Sequence, residues 1–457
     1  MQSHATNKRT IRYDIFNRPL RLGLSYWIYL ASAGSAVGLG AIWKFPYMAG
    51  TNGGAAFIVP YIAFCFTIGM FLLLAELVVG RAGRAASIKS MIKVGKQKYW
   101  GIFGLIGVLT GFFILTFYST VGGWCVAYLV DALMGNGVVT DLNQLGAYFG
   151  KFIGNPWVGI FYQLIFMVLT AGTVVFGVQK GIERLAKYLM PTLFILMLVL
   201  IARGLTLPNA WQGVEFMFSF NWDQFNADSL FNAMGFCFFS LSVGAGTLIV
   251  YASYLSDDAN LPQSTAWVAF LGILAALLGG LMVMPAVFAF GLEPTAGPGL
   301  TFVTMPAVFA HMPMGQFFAI LFYACLVVAA LTSSVSIFEA VTSALNDIKV
   351  PRRVAVPLAF ISMMTVGIFC TMSFGPLADF KIFGKTIFDL LDYLTSNVGM
   401  PITALGLAII AAWVNWEETR KQLTTACSLS PLTLNIIRFG IGVIAPLVII
   451  IVVARSI

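Results

Sequence analysis

The sequence predicts an all-α integral membrane protein of about eleven transmembrane helices, and three observations carry that expectation. The first is composition: of 457 residues, 59% are hydrophobic and only 10% charged, with a mean hydropathy of +0.90, far from the balance of soluble globular domains. The second is length, because apolar runs able to cross ~30 Å of hydrocarbon, about 20 residues each, recur along the whole chain. The third is a pair of glycine-rich runs, "SAVGLG" at 35–40 and "LSVGAG" at 241–246, one near each end of the apolar region's first half.

Taken in order, the runs fall near 22–47, 55–80, 101–134, 157–178, 188–205, 230–254, 266–292, 315–346, 354–374, 387–413 and 432–454. Lysine and arginine cluster at 8–21, 81–98, 180–187, 349–353 and 420–438, before the first span and between alternate pairs of spans, which puts the clusters on one side of the membrane. That bias sets orientation: the N-terminus is expected in the cytoplasm and, after an odd number of crossings, the C-terminus outside. The net charge of +8 is therefore a topological signal, and no nucleic-acid partner is expected. No removable leader is expected before the first span.

The six cysteines stand singly along the chain, and five lie inside spans, which suits apolar packing better than disulfides or metal ligation. His4 and His311 lie outside the spans, and neither H-E-x-x-H nor G-x-S-x-G occurs. The chain is not expected to be an enzyme.

The first glycine run raises a physical question, since each interior glycine costs a helix ~1 kcal/mol relative to alanine. Val37, Gly38 and Gly40 align with Val243, Gly244 and Gly246, in the first and sixth spans. Five spans separate equivalent helices, so the two are oppositely oriented, as in inverted-topology repeats whose unwound helices build a midplane binding site. In lipid, freed peptide groups survive only where they line a cavity or bind something. Half-helix N-termini suit a carboxylate, and bare carbonyls suit a hard cation. Close packing through small residues is the alternative reading of the same run.

The segments "AGSAVGLGAIWKFPY" (33–47), "NGGAAFIVPY" (52–61) and "AELVVGRAGR" (75–84) resemble the opening of the neurotransmitter:sodium symporter family. "FYSTVGGW" (117–124), "FFSLSVGAGTLIVYASY" (238–254), "ALTSSVSIFEA" (330–340) and "TIFDLLDYLTSN" (386–397) resemble its third, sixth, eighth and tenth helices. The resemblance implies two inverted five-helix repeats with discontinuous first and sixth helices. The expected divisions are a cytoplasmic segment 1–21, repeats at 22–205 and 230–413 separated by an external loop 206–229, and a cytoplasmic loop with an eleventh helix at 414–457.

The resemblance also implies residue roles. Of the family's two sodium sites, the second maps onto carbonyls of Gly34, Val37 and Ala329 and hydroxyls of Thr332 and Ser333, five neutral oxygens that suit Na⁺ better than a divalent ion. The first is eroded: Ala41 stands where asparagine is expected, Leu271 and Gly272 where Asn or Asp is expected, and only Ser240 keeps a side-chain oxygen. Coupling to a single sodium ion is the resulting expectation. Substrate contacts map onto Ala36, Gly38, Gly40, Ile114, Tyr118, Phe239, Ser240, Ser242, Ala245, Ser334 and Ile337. Gly38 replaces the aspartate of monoamine carriers, favouring a substrate with its own carboxylate, and the small Ala245 suggests space for a bulky apolar or aromatic side chain. Lys44 and Asp392 map onto the outer gate; Asp347, Tyr254 and either Arg18 or Arg21 map onto the inner one. Glu76 and Glu339 are expected to hydrogen-bond unwound backbone, and Ala275 argues against chloride dependence.

The function expected is Na⁺-coupled symport of an amino acid across the inner (plasma) membrane by alternating access. A non-transporting amino-acid sensor on the same scaffold, a proton-coupled carrier and an exchanger are the alternatives.

Overall fold

The computed structural model describes residues 34, 37–135, 142–223, 225–291 and 299–456, with backbone alone at 142–145, 179–180 and 456. Among those residues the regular structure is helical, joined by turns and loops that include two isolated antiparallel bridges, Gly54 to Phe220 and Ile382 to Lys385. The helices that build the membrane body are α1 (Leu39–Thr51), α2 (Ala55–Gly83), α3 (Lys98–Met134), α4 (Pro156–Val175), α5 (Gly181–Leu205), α6 (Ala227–Ser240), α7 (Thr247–Ser253), α8 (Leu261–Ala289), α9 (Gly315–Asp347), α10 (Arg352–Met372), α11 (Ile387–Val414) and α12 (Pro431–Arg455). Nine of them are long and apolar enough to cross a bilayer. The sixth predicted span is two short helices, α6 and α7, and α1 is the part of the first span that follows its break.

Local sequence explains where several helices begin. Asn155, Asn260 and Ser430 each accept a hydrogen bond from the backbone N–H three residues on, at 3.4, 3.1 and 3.1 Å, and a proline occupies one of the first two helical positions. Both features fill the orphan donors of a helix N-terminus without cost to the ladder.

α3 runs through the centre and packs most extensively on α9. Its small residues permit close approach: a methyl group added at Gly107 would lie 2.9 Å from Thr403 of α11, and one at Gly111 would lie 3.1 Å from the Ala245 carbonyl. Where helices meet without water, packing and a few polar contacts replace the hydrophobic drive. The buried amide of Gln163 supplies such contacts, donating to Ser119 at 2.9 Å and accepting from Thr371 at 2.8 Å, so that α3, α4 and α10 are joined. Large apolar side chains such as Trp157, Phe161 and Ile195 cover the outer face, at 80%, 58% and 60% exposure, the surface expected against lipid.

Candidate functional site

Both glycine runs are breaks. Gly38 is extended (φ −108°, ψ −173°), and α1 begins only after it. Leu39 N–H, left without a helical acceptor, donates to the Tyr118 hydroxyl of α3 at 3.3 Å. A methyl group at Gly38 would lie 2.2 Å from Ser333 Oγ, and one at Gly40 would lie 2.5 Å from the Phe239 ring. Glycine is required there because other elements occupy the space of a side chain.

In the sixth span, α6 ends at Ser240 and α7 starts at Thr247. Between them Ser242, Gly244 and Gly246 take φ of 53°, 85° and 74°, a left-handed region that glycine enters freely and serine at a cost. Gly244 also abuts the Met400 carbonyl, 2.2 Å from where a Cβ would stand. Fully buried Glu76 of α2 has its carboxyl within electrostatic range of the amides of Gly244 and Gly246, and among the described residues neither of its oxygens makes a hydrogen bond.

Between the breaks lies a cavity of about 40 Å³, space for one or two water-sized groups in this conformation. Of the residues to which the resemblance assigns substrate contacts, Gly38, Gly40, Ile114, Tyr118, Phe239, Ser240, Ser242, Ala245 and Ile337 line it. Ala41, Ser333 and Met400 also line it. Met400 follows a wide helical turn at Thr395–Gly399, and nothing local in its sequence marks it. Ser334 is turned away: its hydroxyl meets Thr170 of α4 at 2.8 Å, and its neighbour Ser333 provides the wall. Ala36 lies outside the described residues.

One corner of this region gathers neutral oxygens. Ser333 Oγ donates to the Gly34 carbonyl at 3.4 Å, Thr332 Oγ1 donates to the Ala329 carbonyl at 2.9 Å, and a methyl at Gly34 would meet Thr332 at 3.8 Å. Gly34, Ala329, Thr332 and Ser333 therefore converge from the first span and α9, and Val37 is buried.

The opposite corner is apolar. The Ser240 hydroxyl accepts from Tyr61 Oη at 3.1 Å and donates to the Cys237 carbonyl at 3.2 Å. Phe45, Phe57, Tyr61 and Phe236 pack together with ring centroids 5.2 to 6.3 Å apart. The Ala41 carbonyl presses on α8, 2.2 Å from where a Cβ at Gly279 would stand. Ala275 and Ala276 on that helix are fully buried.

Toward one end of the cavity, Lys44 Nζ stands 3.8 Å from Asp392 Oδ2 and 4.6 Å from the centroid of Phe239. A lysine lacks the bidentate fork of arginine, and the long ion pair reflects that. Toward the other end, Asp347 accepts from Ala86 N–H at 3.0 Å, and Lys89 donates to its backbone carbonyl. Tyr254 lies within electrostatic range of Asp347, Glu339 and Arg352. Arg18 and Arg21 lie outside the described residues. Glu339 does not bond unwound backbone: it pairs with Arg352 at 2.5 Å and accepts from Ser343 at 2.9 Å, while Arg352 also donates to the Val174 carbonyl of α4 at 2.6 Å. A buried carboxylate takes the strongest donor in reach, and here that donor is a guanidinium.

Comparison with known proteins agrees with this geometry. The sequence is 39% identical over 408 residues to the uncharacterized sodium-dependent transporter YhdH of Bacillus subtilis, covering 89% of this chain and 90% of that one. It is 31% identical over 449 residues to the uncharacterized sodium-dependent transporter MJ1319 of Methanocaldococcus jannaschii, covering 92% and 86%. The fold matches a crystal structure of MhsT in complex with L-phenylalanine, with a TM-score of 0.89 and 36% identity over 96% of this chain and 99% of that one. The sequence model of the Sodium:neurotransmitter symporter family covers residues 25–141 and 155–457. With broken first and sixth spans around a central cavity and these matches over nearly its whole length, the chain belongs to the sodium:neurotransmitter symporter family.

Proposed function

We propose that this protein carries a neutral amino acid inward across the cell's inner membrane together with one sodium ion, by alternating access. The observation that carries the reading is the pairing of the Gly38 break with Tyr118 and Ser333: a backbone N–H that has no helical acceptor and is held by a phenol meets the Ser333 hydroxyl at one cavity. That set suits a carboxylate, which the amide ends of α1 and the Tyr118 hydroxyl would hold. Among the described residues no acidic side chain lines the cavity, which supports a substrate that carries its own carboxylate.

Gly34, Val37, Ala329, Thr332 and Ser333 hold the sodium ion in this reading, with three carbonyls and two hydroxyls as ligands. The ion exchanges water for five neutral oxygens, and it links the first span to α9 when bound. The apolar corner around Ser240 offers a second cation no comparable set. The Ser240 hydroxyl is engaged by Tyr61 and by the Cys237 carbonyl, and Ala41, Leu271 and Gly272 bring no side-chain oxygen. With one entering charge, a potential of ~100 mV contributes about 2.3 kcal/mol, roughly 50-fold accumulation. Phe239, clamped between Gly40 and Lys44, is the side chain that must move to admit a bulky substrate.

MhsT was crystallised with L-phenylalanine, which together with the small Ala245 supports an apolar or aromatic amino acid. The test is uptake of labelled amino acids into proteoliposomes under an imposed Na⁺ gradient, preceded by a thermal-shift screen with and without Na⁺, since a ligand that binds only the folded state stabilises it. Sodium-driven accumulation is expected. Binding without accumulation would support a sensor, and undiminished uptake with choline in place of Na⁺ would support a proton-coupled carrier or exchanger.

A further inference from the structure

A second cavity lies on the outer surface between α11 and α12, where two wide helical turns, Ile410–Val414 and Gly440–Ile444, stand side by side. A wide turn breaks the regular i to i+4 ladder and leaves a carbonyl without its helical donor. Each helix repairs the other. Trp413 Nε1 of α11 donates to the Gly442 carbonyl at 2.9 Å, and Arg438 Nε of α12 donates to the Ala412 carbonyl at 3.3 Å. The Arg438 guanidinium also lies 5.2 Å from the Trp416 ring centroid. The result is a slot of about 210 Å³ with Arg438 and Asn435 on its polar side and Trp413, Phe439 and Val443 on its apolar side.

Three features define what fits this slot. No described carboxylate pairs with Arg438 and no described acceptor takes its two terminal nitrogens, so a fork of charged donors remains available to an anion. The neighbouring helix Trp416–Thr424 balances its own charges, Glu417 and Glu418 against Arg420 and Lys421, which leaves Arg438 as the local excess. Around it the surface is the kind that meets acyl chains: Trp413, Phe439, Leu432 and Ile436 are 63%, 57%, 70% and 54% exposed. Tryptophans and an arginine at the end of a span mark the depth of lipid headgroups.

We propose that this slot binds one anionic phospholipid, with the phosphodiester on Arg438 and Asn435 and an acyl chain along Phe439 and Val443. Arginine recognises phosphate with two parallel bonds, and basic recesses between transmembrane helices are suited to anionic headgroups. Because Trp413 and Arg438 also tie α11 to α12, the lipid would close the outer side of that joint.

The experiment is native mass spectrometry of the purified chain titrated with phosphatidylglycerol or with phosphatidylcholine of the same acyl chains, repeated for Arg438→Gln, Arg438→Lys and Asn435→Leu. The wild type is expected to retain one phosphatidylglycerol in preference to phosphatidylcholine. Arg438→Gln should weaken that retention about tenfold, the value of one charge-assisted hydrogen bond, and Arg438→Lys should fall between the two. If Arg438→Gln does not yield folded protein, the Asn435→Leu change, at an exposed position, carries the test with an expected loss of about threefold for one neutral bond. Equal retention of both lipids by the wild type, undiminished retention in the folded variants, or release of the lipid by millimolar inorganic phosphate would overturn the proposal, the last because a free anion would then be the ligand.

Discussion

Two regions beside the central cavity, one reached through Ser333 and the other through Ala41 and Ser240, differ in one respect. Beside Gly34, Thr332 and Ser333 the wall is made of oxygens; beside Ala41 and Ser240 it is made of aromatic rings and methyl groups. The backbone break is common to both, because the first span passes between them. What separates them is a few side chains, and the consequence is chemical: a cation that leaves water needs about six oxygens around it, and one corner approaches that number while the other offers one engaged hydroxyl. A break in a helix therefore creates the possibility of an ion site, and side chains decide whether it is realised.

The comparison is broken most directly at Thr332 and Ser333. Changing both to alanine should lower sodium affinity by about 100-fold or more, since each lost ligand to a charge is worth ~1.5 kcal/mol or more, and the Na⁺-dependent part of a substrate-induced thermal shift should vanish. Sodium dependence that survives this double change would place the ion elsewhere. Tyr118→Phe removes the phenol that meets Leu39 N–H and should weaken substrate binding about tenfold at saturating Na⁺, measured by calorimetry.

The opposite corner sharpens the comparison. Wild-type uptake should depend on Na⁺ with a Hill coefficient near one, and Ala41→Asn should leave it there while destabilising the fold by about 1–3 kcal/mol through overpacking against Gly279. A coefficient near two in the wild type would mean that the apolar corner opens to a second ion. The smallest effect is expected from Tyr61→Phe, which frees one side of the Ser240 hydroxyl and should cost about 1 kcal/mol of stability with no change in sodium dependence.

Much of this was legible before any coordinates. Glycines at 38, 244 and 246 announced breaks because a run of glycines weakens a membrane helix; at 244 and 246 they take a left-handed backbone that costs other residues energy, and at 38 Ser333 fills the space of a side chain. The Lys44 and Asp392 pairing followed from the resemblance, and the structure brings them to 3.8 Å. Other features were not legible. Ser334 faces Thr170 instead of the cavity, Met400 enters the wall by a helical phase shift at a wide turn, and Glu339 finds Arg352 thirteen residues on. In each case the deciding neighbour comes from packing geometry that no local pattern encodes.

Composition and periodicity alone determined that the chain is a bundle of membrane helices, because hydrocarbon tolerates only internally hydrogen-bonded backbone and its thickness fixes the length of a span. They also determined where two helices must stop, because a glycine run is a property of the chain itself. Which hydroxyl faces the cavity, which carboxylate meets which guanidinium, and whether a corner is wet or greasy were decided by tertiary structure. Those outcomes depend on rotation and register between helices that lie far apart in sequence, and a shift of one residue turns a side chain by about 100° around its helix.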